Sequence, residues 1–279
     1  MDEILFLIKL ATTSAVVIGL SILAEKMSPK IAGIVSGYPT VSAIILFFFG
    51  LEVSPQFAAD SAEYNVIGVT AVLFFVYFYY QGSKYFTRFN ILLSTITALV
   101  GYFIVIWLLH FIELNKYIAV LIPVLFSFLF IYLFRNIEDV KINNKVKVDY
   151  KVLLMRAAFA VLIILIITSI PELVGPKWAG LFSAFPSTIF PLILIVHFTY
   201  SKKHVYTIIK NVPIGIFSVI IYSLLVSIVY PLIGIYWGSL FSLAIATSYL
   251  LVYKKIRSRA RSTSLRDDNK VIVKNKEQI

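Results

Sequence analysis

The chain reads as an all-α polytopic membrane protein with about nine transmembrane helices, arranged as two inverted-topology four-helix repeats joined by a connector helix. Three observations predict this class. Hydrophobic residues make up 60% of the 279 positions and charged residues only 14%, with a mean hydropathy of +0.92, so few stretches between the charges can be solvated surface. Apolar runs of the length a helix needs to cross the bilayer core, about 20 residues, recur from one end to the other. A stretch near the N-terminus also recurs in the second half. A β-barrel would show alternating segments of about 10 residues instead.

Nine segments can be marked, at about 4–24, 31–51, 64–82, 90–110, 117–135, 152–170, 178–200, 211–229 and 232–252. The last two are divided only by Tyr230, Pro231 and their neighbours, within an apolar stretch about two spans long. Loop charges alternate. One set holds Lys26 and Lys30, Lys84 and Arg88, Arg135 through Lys151, Lys202 through Lys210, and the tail from Lys254 to Lys276. The other holds Asp2 and Glu3, the 52–63 loop with Glu52, Asp60 and Glu63, then Glu113 and Glu172. The positive-inside rule assigns the first set to the cytosol, giving an outside N-terminus, an inside C-terminus and an odd number of spans. The expected location is a prokaryotic plasma membrane.

Residues 1–112 form the first membrane repeat, 113–150 the connector helix with a cytosolic loop, 151–253 the second repeat, and 254–279 a basic tail expected to be disordered and drawn to anionic lipid. The net charge of +11 lies in loops and tail, so it orients the chain in the membrane and does not imply nucleic acid. The first segment carries Asp2 and Glu3 and has no small-residue cleavage site, which separates it from a signal peptide. There is no cysteine and only three histidines, His110, His197 and His204, so thiolate chemistry is excluded and a metal centre is not expected. Walker, His-Glu-x-x-His and Gly-x-Ser-x-Gly patterns are absent, and no enzyme activity or cofactor is expected.

The duplication carries the functional reading. Glu25, Pro29-Lys30, Ala32-Gly33, Ser36, Tyr38-Pro39 and Thr40 recur in order as Glu172, Pro176-Lys177, Ala179-Gly180, Ser183, Phe185-Pro186 and Ser187. The same offset sets Lys9 on Arg156. Because the copies start five spans apart, they enter the membrane from opposite sides. Small residues followed by Pro predict a break or sharp kink in spans two and seven, where exposed backbone dipoles and the hydroxyls of Thr40 and Ser187 would meet a substrate. The alternative is that these residues only shape helix packing.

Lys9 and Arg156 either snorkel to the nearest interface or point into a central cavity, where they would favour an anionic substrate. Glu25 and Glu172 end spans one and six, either facing water or carrying a coupling proton. His197 reads as a packed neutral histidine. Asn65 and Asn211 read as helix caps, and the acids of the 52–63 loop as solvated charges.

Lys9 early in a first helix, then Ala32, Gly33, Tyr38, Pro39 and Thr40 opening a second, resembles the GlpM family of small bacterial inner-membrane proteins, as do Arg156, Ala179, Gly180, Phe185, Pro186 and Ser187. Those proteins are about half this length, so the resemblance implies two such units fused. It covers residues 4–50 and 151–200 and departs at Arg156 and at an additional Pro191.

The expected function is a membrane transporter or flippase that moves a small solute, anionic or lipid-linked, by alternating access. Its substrate would lie near Lys9, Ser36, Tyr38, Pro39, Thr40, Arg156, Ser183, Phe185, Pro186 and Ser187. The alternative is a non-transporting accessory or scaffold membrane protein. A lipid-modifying enzyme using Glu25 or Glu172 stands third. Expected partners are the substrate and membrane lipids, and a homo-oligomer is compatible with the sequence.

Overall fold

The computed structural model describes the backbone of residues 3–25, 27–113, 115–140, 150–169 and 171–276, and the side chains of 7–16, 18–19, 27–113, 115, 117–140, 150, 154–155, 157–169 and 171–257. Among the described residues all regular structure is helical: α1 Glu3–Glu25, α2 Pro29–Val35, α3 Thr40–Glu52, α4 Pro55–Tyr85, α5 Asn90–His110, α6 Lys116–Leu133, α7 Tyr150–Ser169, α8 Pro171–Ser183, α9 Ile189–Thr199 and α10 Lys202–Lys276. Four stretches are long and apolar enough to cross a membrane: Pro29–Glu52, Pro55–Tyr85, Asn90–His110 and Lys202–Arg257. Shorter apolar helices are Leu7–Val16, Tyr117–Leu133, Ala157–Ser169 and Ile189–Thr199. Outward-facing Leu92, Phe103, Trp107, Leu125 and Phe128 on α5 and α6 are all exposed, which suits contact with lipid tails.

Helix starts follow local chemistry. Ser54 accepts a hydrogen bond from the Phe57 amide at 3.0 Å and is followed by Pro55 at the first helical position, so α4 begins there. The stretch 55–63, expected as a loop, is therefore helical. Ser28 and Pro29 open α2 in the same way.

Two glycines turn the chain at positive φ. Gly175 (φ 73°) lies immediately before Pro176 and interrupts α8, and Gly234 (φ 78°) interrupts α10. The expected divide at Tyr230-Pro231 is thus displaced to Gly234. A proline removes one hydrogen bond and bends a helix, whereas a left-handed residue redirects it. Folding back about this point is required by two bonds: Ser218 Oγ donates to the Ala246 carbonyl at 3.1 Å and Tyr249 OH to the Ile214 carbonyl at 3.0 Å. A straight helix would separate 28 residues by about 42 Å.

Beyond Gly234 the helical backbone continues through Lys276, into the tail whose composition predicts disorder. No Pro or Gly interrupts 255–276, and its Arg, Lys and Leu residues favour helix.

The helices cross by close backbone approach. On α2, a methyl group added at Gly33 would collide with the Ile208 carbonyl of α10, and just past its end one at Gly37 would collide with the backbone of Gly215. On α8, a methyl at Gly180 would collide with the Ser61 carbonyl of α4, and just past its end Ala184 packs on Gly68. α6 bridges the two sides: Phe126 and Phe130 pack on Phe74 of α4 at 5.1 and 5.2 Å between ring centroids, and Phe128 on Phe217 of α10 at 5.6 Å.

Gly37→Ala is expected to lower the thermal melting midpoint of the purified protein, overpacking of this kind costing about 1–3 kcal/mol. Gly19→Ala in α1, where an added methyl meets nothing within 4 Å and alanine favours the helix, serves as the control and should hold or raise the midpoint. Equal melting of the two variants would refute the contact.

Candidate functional site

Both predicted helix breaks are present. The first separates α2 from α3 at residues 36–39, the second α8 from α9 at 184–188. Their hydrogen bonds match one for one. Gly37 N donates to Ile34 O (3.2 Å), Tyr38 N to Val35 O (2.9 Å), Thr40 N to Tyr38 O (2.7 Å) and Ala43 N to Pro39 O (2.7 Å). In the second break Ala184 N donates to Leu181 O (3.3 Å), Phe185 N to Phe182 O (2.9 Å), Ser187 N to Phe185 O (2.7 Å) and Phe190 N to Pro186 O (2.8 Å). Ser36 and Ser183 each turn the hydroxyl back to a glycine carbonyl, Gly33 and Gly180, at 2.7 Å. Each Pro thus sits at the centre of a tight three-residue turn, with φ −73° and ψ 34° at Pro39.

The two breaks meet at a buried polar cluster drawn from four helices. Asn65 of α4 is fully buried, and its Nδ2 donates to Ser183 Oγ at 2.7 Å and to Ser42 Oγ at 3.3 Å. Ser42, two residues into α3 after Thr40, donates to the Ser183 carbonyl at 3.2 Å. Ser223 of α10 donates to Asn65 Oδ1 at 2.7 Å. One turn before Asn65, the Ser61 hydroxyl is buried with no hydrogen-bond partner. A carbonyl left open at the C-terminus of α8 is in this way satisfied by the opposite half of the chain.

The remaining predicted residues flank this cluster. Pro39, Thr40, Pro186 and Ser187 are buried, and Ser36, Tyr38 and Phe185 half-buried. Tyr38 OH bonds Thr247 Oγ1 at 2.9 Å, and Phe185 packs edge-on against Tyr102 at 5.3 Å, so each break reaches an aromatic toward a helix of the other half. Ser187 Oγ donates to the Phe185 carbonyl at 3.1 Å.

Lys9 neither snorkels nor presents its charge to an open cavity. It is fully buried, with Nζ 2.6 Å from the Glu52 carboxylate, 3.0 Å from Thr168 Oγ1 and 5.3 Å from the Phe48 ring centre. The ion pair ties α1 to the end of α3 and to α7. Glu52, expected as a solvated loop charge, has a side chain only 13% exposed.

Glu172 is exposed. The side chains of Glu25 and Arg156 lie outside the described residues. His197 is half-buried, and its Nδ1 is 2.9 Å from the hydroxyl of buried Tyr79. Among the described residues no group of three or more His, Asp or Glu is placed to hold a metal ion.

Sequence reasoning missed Ser42, Ser223 and Glu52, and it misread Asn65 and Asn211 as caps. Both lie well inside their helices, which begin at Pro55 and Lys202. The Ser54-Pro55 pair carried the signal that would have placed Asn65 deep in a helix. Comparison of the chain with protein-family models, curated proteins and solved structures gives no match. The site defines an all-helical apolar bundle with paired helix breaks, and its functional reading rests on that geometry.

Asn65→Ala removes three side-chain hydrogen bonds from a buried cluster and is expected to cost about 1–3 kcal/mol of stability, read as a lowered melting midpoint. Lys9→Met leaves Glu52 without its cation and should cost about 3–5 kcal/mol, most of it recovered in Lys9→Met/Glu52→Leu. A double variant no more stable than Lys9→Met would show that the pair does not act as a unit.

Proposed function

We propose that the chain is a multi-pass transporter or flippase of a prokaryotic plasma membrane, moving a small polar solute or lipid-linked intermediate by alternating access of two inverted-topology repeats. The observation that carries this reading is the pair of helix breaks with matching hydrogen bonds, meeting at the Ser42, Asn65, Ser183 and Ser223 cluster. Broken helices at a repeat interface are where transporters bind substrate.

The repeat reading is supported by packing as well as by sequence. At one offset of 147 residues, Gly33 on Ile208 answers Gly180 on Ser61, and Gly37 on Gly215 answers Ala184 on Gly68. Each partner comes from the opposite copy, as crossing of two antiparallel repeats requires. Nine spans with an outside N-terminus follow if α2 with α3 and α8 with α9 each make one broken span and α10 makes two. The GlpM-like motifs fit the same scheme of two fused units.

The cargo is met by neutral groups at the breaks: serine hydroxyls, the Asn65 amide and the Tyr38 phenol. The unpartnered Ser61 hydroxyl is one a polar ligand would satisfy. Because Glu52 balances Lys9, an anionic preference does not draw on that lysine. The scaffold alternative is favoured by one observation, that the Asn65 amide has its bonds made within the protein.

With no native cysteine, Ser36→Cys and Ser183→Cys can be probed singly in intact cells and inverted vesicles with a membrane-impermeant thiol reagent. Alternating access predicts labelling from both faces. Folded variants that label from neither face would establish a dry packing interface and with it the scaffold reading.

A further inference from the structure

At the end of the bundle that the loop charges assign to the cytosol, the packing of α2 on α10 gathers two lysines around one carboxylate. Lys30 is the second residue of α2, and its Nζ donates to Asp139 Oδ2. Lys210 of α10 stands on the other oxygen, 3.8 Å from Oδ1. Asp139 belongs to neither copy of the repeat. It follows α6, in a short strap over α10: Val140 N donates to Thr207 Oγ1 at 2.9 Å, Thr207 Oγ1 contacts the Glu138 carbonyl at 3.3 Å, and Lys210 Nζ donates to the Ile137 carbonyl. The three charged side chains remain 24–34% exposed and within reach of solvent.

The repeat offset explains why this carboxylate is needed. Lys30 corresponds to Lys177 and Lys210 to Glu63. The position that faces the α8 lysine's end of the bundle with an acid therefore faces the α2 lysine's end with a second cation. Asp139 restores balance only in part, leaving one net positive charge in the group. Burial pushes the Asp139 carboxyl pKa up, but the hydrogen bond and charge of Lys30, the charge of Lys210 and a hydrogen bond from Asn211 outweigh it and hold the group below its ordinary value.

We propose that Lys30 and Lys210 form a binding site for a phosphate group, with the Asp139 carboxylate holding the place that phosphate would take. A phosphate monoester carries a charge of about −1.5 to −2, which matches two ammonium groups where a single carboxylate does not. Lysines bind phosphate as point charges and need no fixed fork geometry. The inference deepens the transport reading on which it rests: phosphate-bearing cargo is met at the cytosolic mouth, between one helix of each repeat, and its arrival displaces the strap that ties α6 to α10. The same chemistry is offered by free phosphate and by a phosphomonoester lipid headgroup.

The test is equilibrium binding to the purified full chain. Inorganic phosphate is titrated in uncharged detergent, and phosphatidic acid is titrated in zwitterionic nanodiscs with phosphatidylglycerol as the diester control. Asp139→Asn removes the internal competitor's charge, and binding should tighten severalfold, up to about thirtyfold, the limit set by two exposed ion pairs. Lys30→Gln and Lys210→Gln, each in the otherwise unaltered chain, should weaken binding severalfold.

Tightening toward phosphate identifies a soluble ligand; tightening toward phosphatidic acid alone identifies a lipid. Should Asp139→Asn prove poorly folded, its melting midpoint should still rise with phosphate and not with chloride at equal ionic strength. No tightening toward either probe, or lysine variants that bind as the unaltered chain does, would overturn the site. Labelling at Ser36→Cys and Ser183→Cys does not depend on the anion, so the inference can fail while the transport reading stands.

Discussion

A helix interrupted inside an apolar bundle exposes amides and carbonyls that neither water nor lipid can satisfy, and this requirement organises the protein. Both interruptions meet part of it locally. The three-residue turns at Pro39 and Pro186 close short backbone bonds, and Ser36 and Ser183 return their hydroxyls to glycine carbonyls one turn back. What local bonding leaves open at Ser183 is met from elsewhere: Ser42 of α3 donates to its carbonyl, and Asn65 of α4 to its hydroxyl. The second break thus draws one of its backbone hydrogen bonds from the other half of the chain.

That dependence explains the glycines. For Asn65 to reach Ser183, α8 has to lie almost in backbone contact with α4, and Gly180 and Gly68 leave no side chain in the way. Gly33, Gly37 and Gly215 do the same for α2 on α10. In a membrane, where burying apolar surface against lipid adds little, such approach gains dispersion contacts along the whole crossing. It also brings charges together along the crossing, and the segment after α6 supplies Asp139 between Lys30 in the first turn of α2 and Lys210 in the third turn of α10.

The Lys9 and Glu52 pair shows how differently a charge reads in sequence and in space. Lys9 stands among apolar residues, and Glu52 lies 43 positions away at the head of a polar stretch. Nothing in either neighbourhood announces the other. Once α1, α3 and α7 are packed they are 2.6 Å apart, and a charge that suggested an attraction for anions is internally balanced. The polar character of the breaks then comes from hydroxyls and one amide.

The apolar runs, the duplicated motif and the two prolines were enough to predict an all-helical apolar bundle and the positions of both breaks. Periodicity, turn chemistry and the missing proline N–H act within a few residues, and a chain carries that information wherever it is placed. The sequence also held the start of α4 at Ser54-Pro55, a capping signal obscured by the acids around it. Tertiary structure alone decided that Asn65 joins Ser42, Ser183 and Ser223 beside the breaks, that Lys9 is neutralised by Glu52, and that Lys30 and Lys210 share Asp139. Each depends on side chains far apart in the chain converging in a low-dielectric interior or at its rim, where a partner's identity is set by helix crossing.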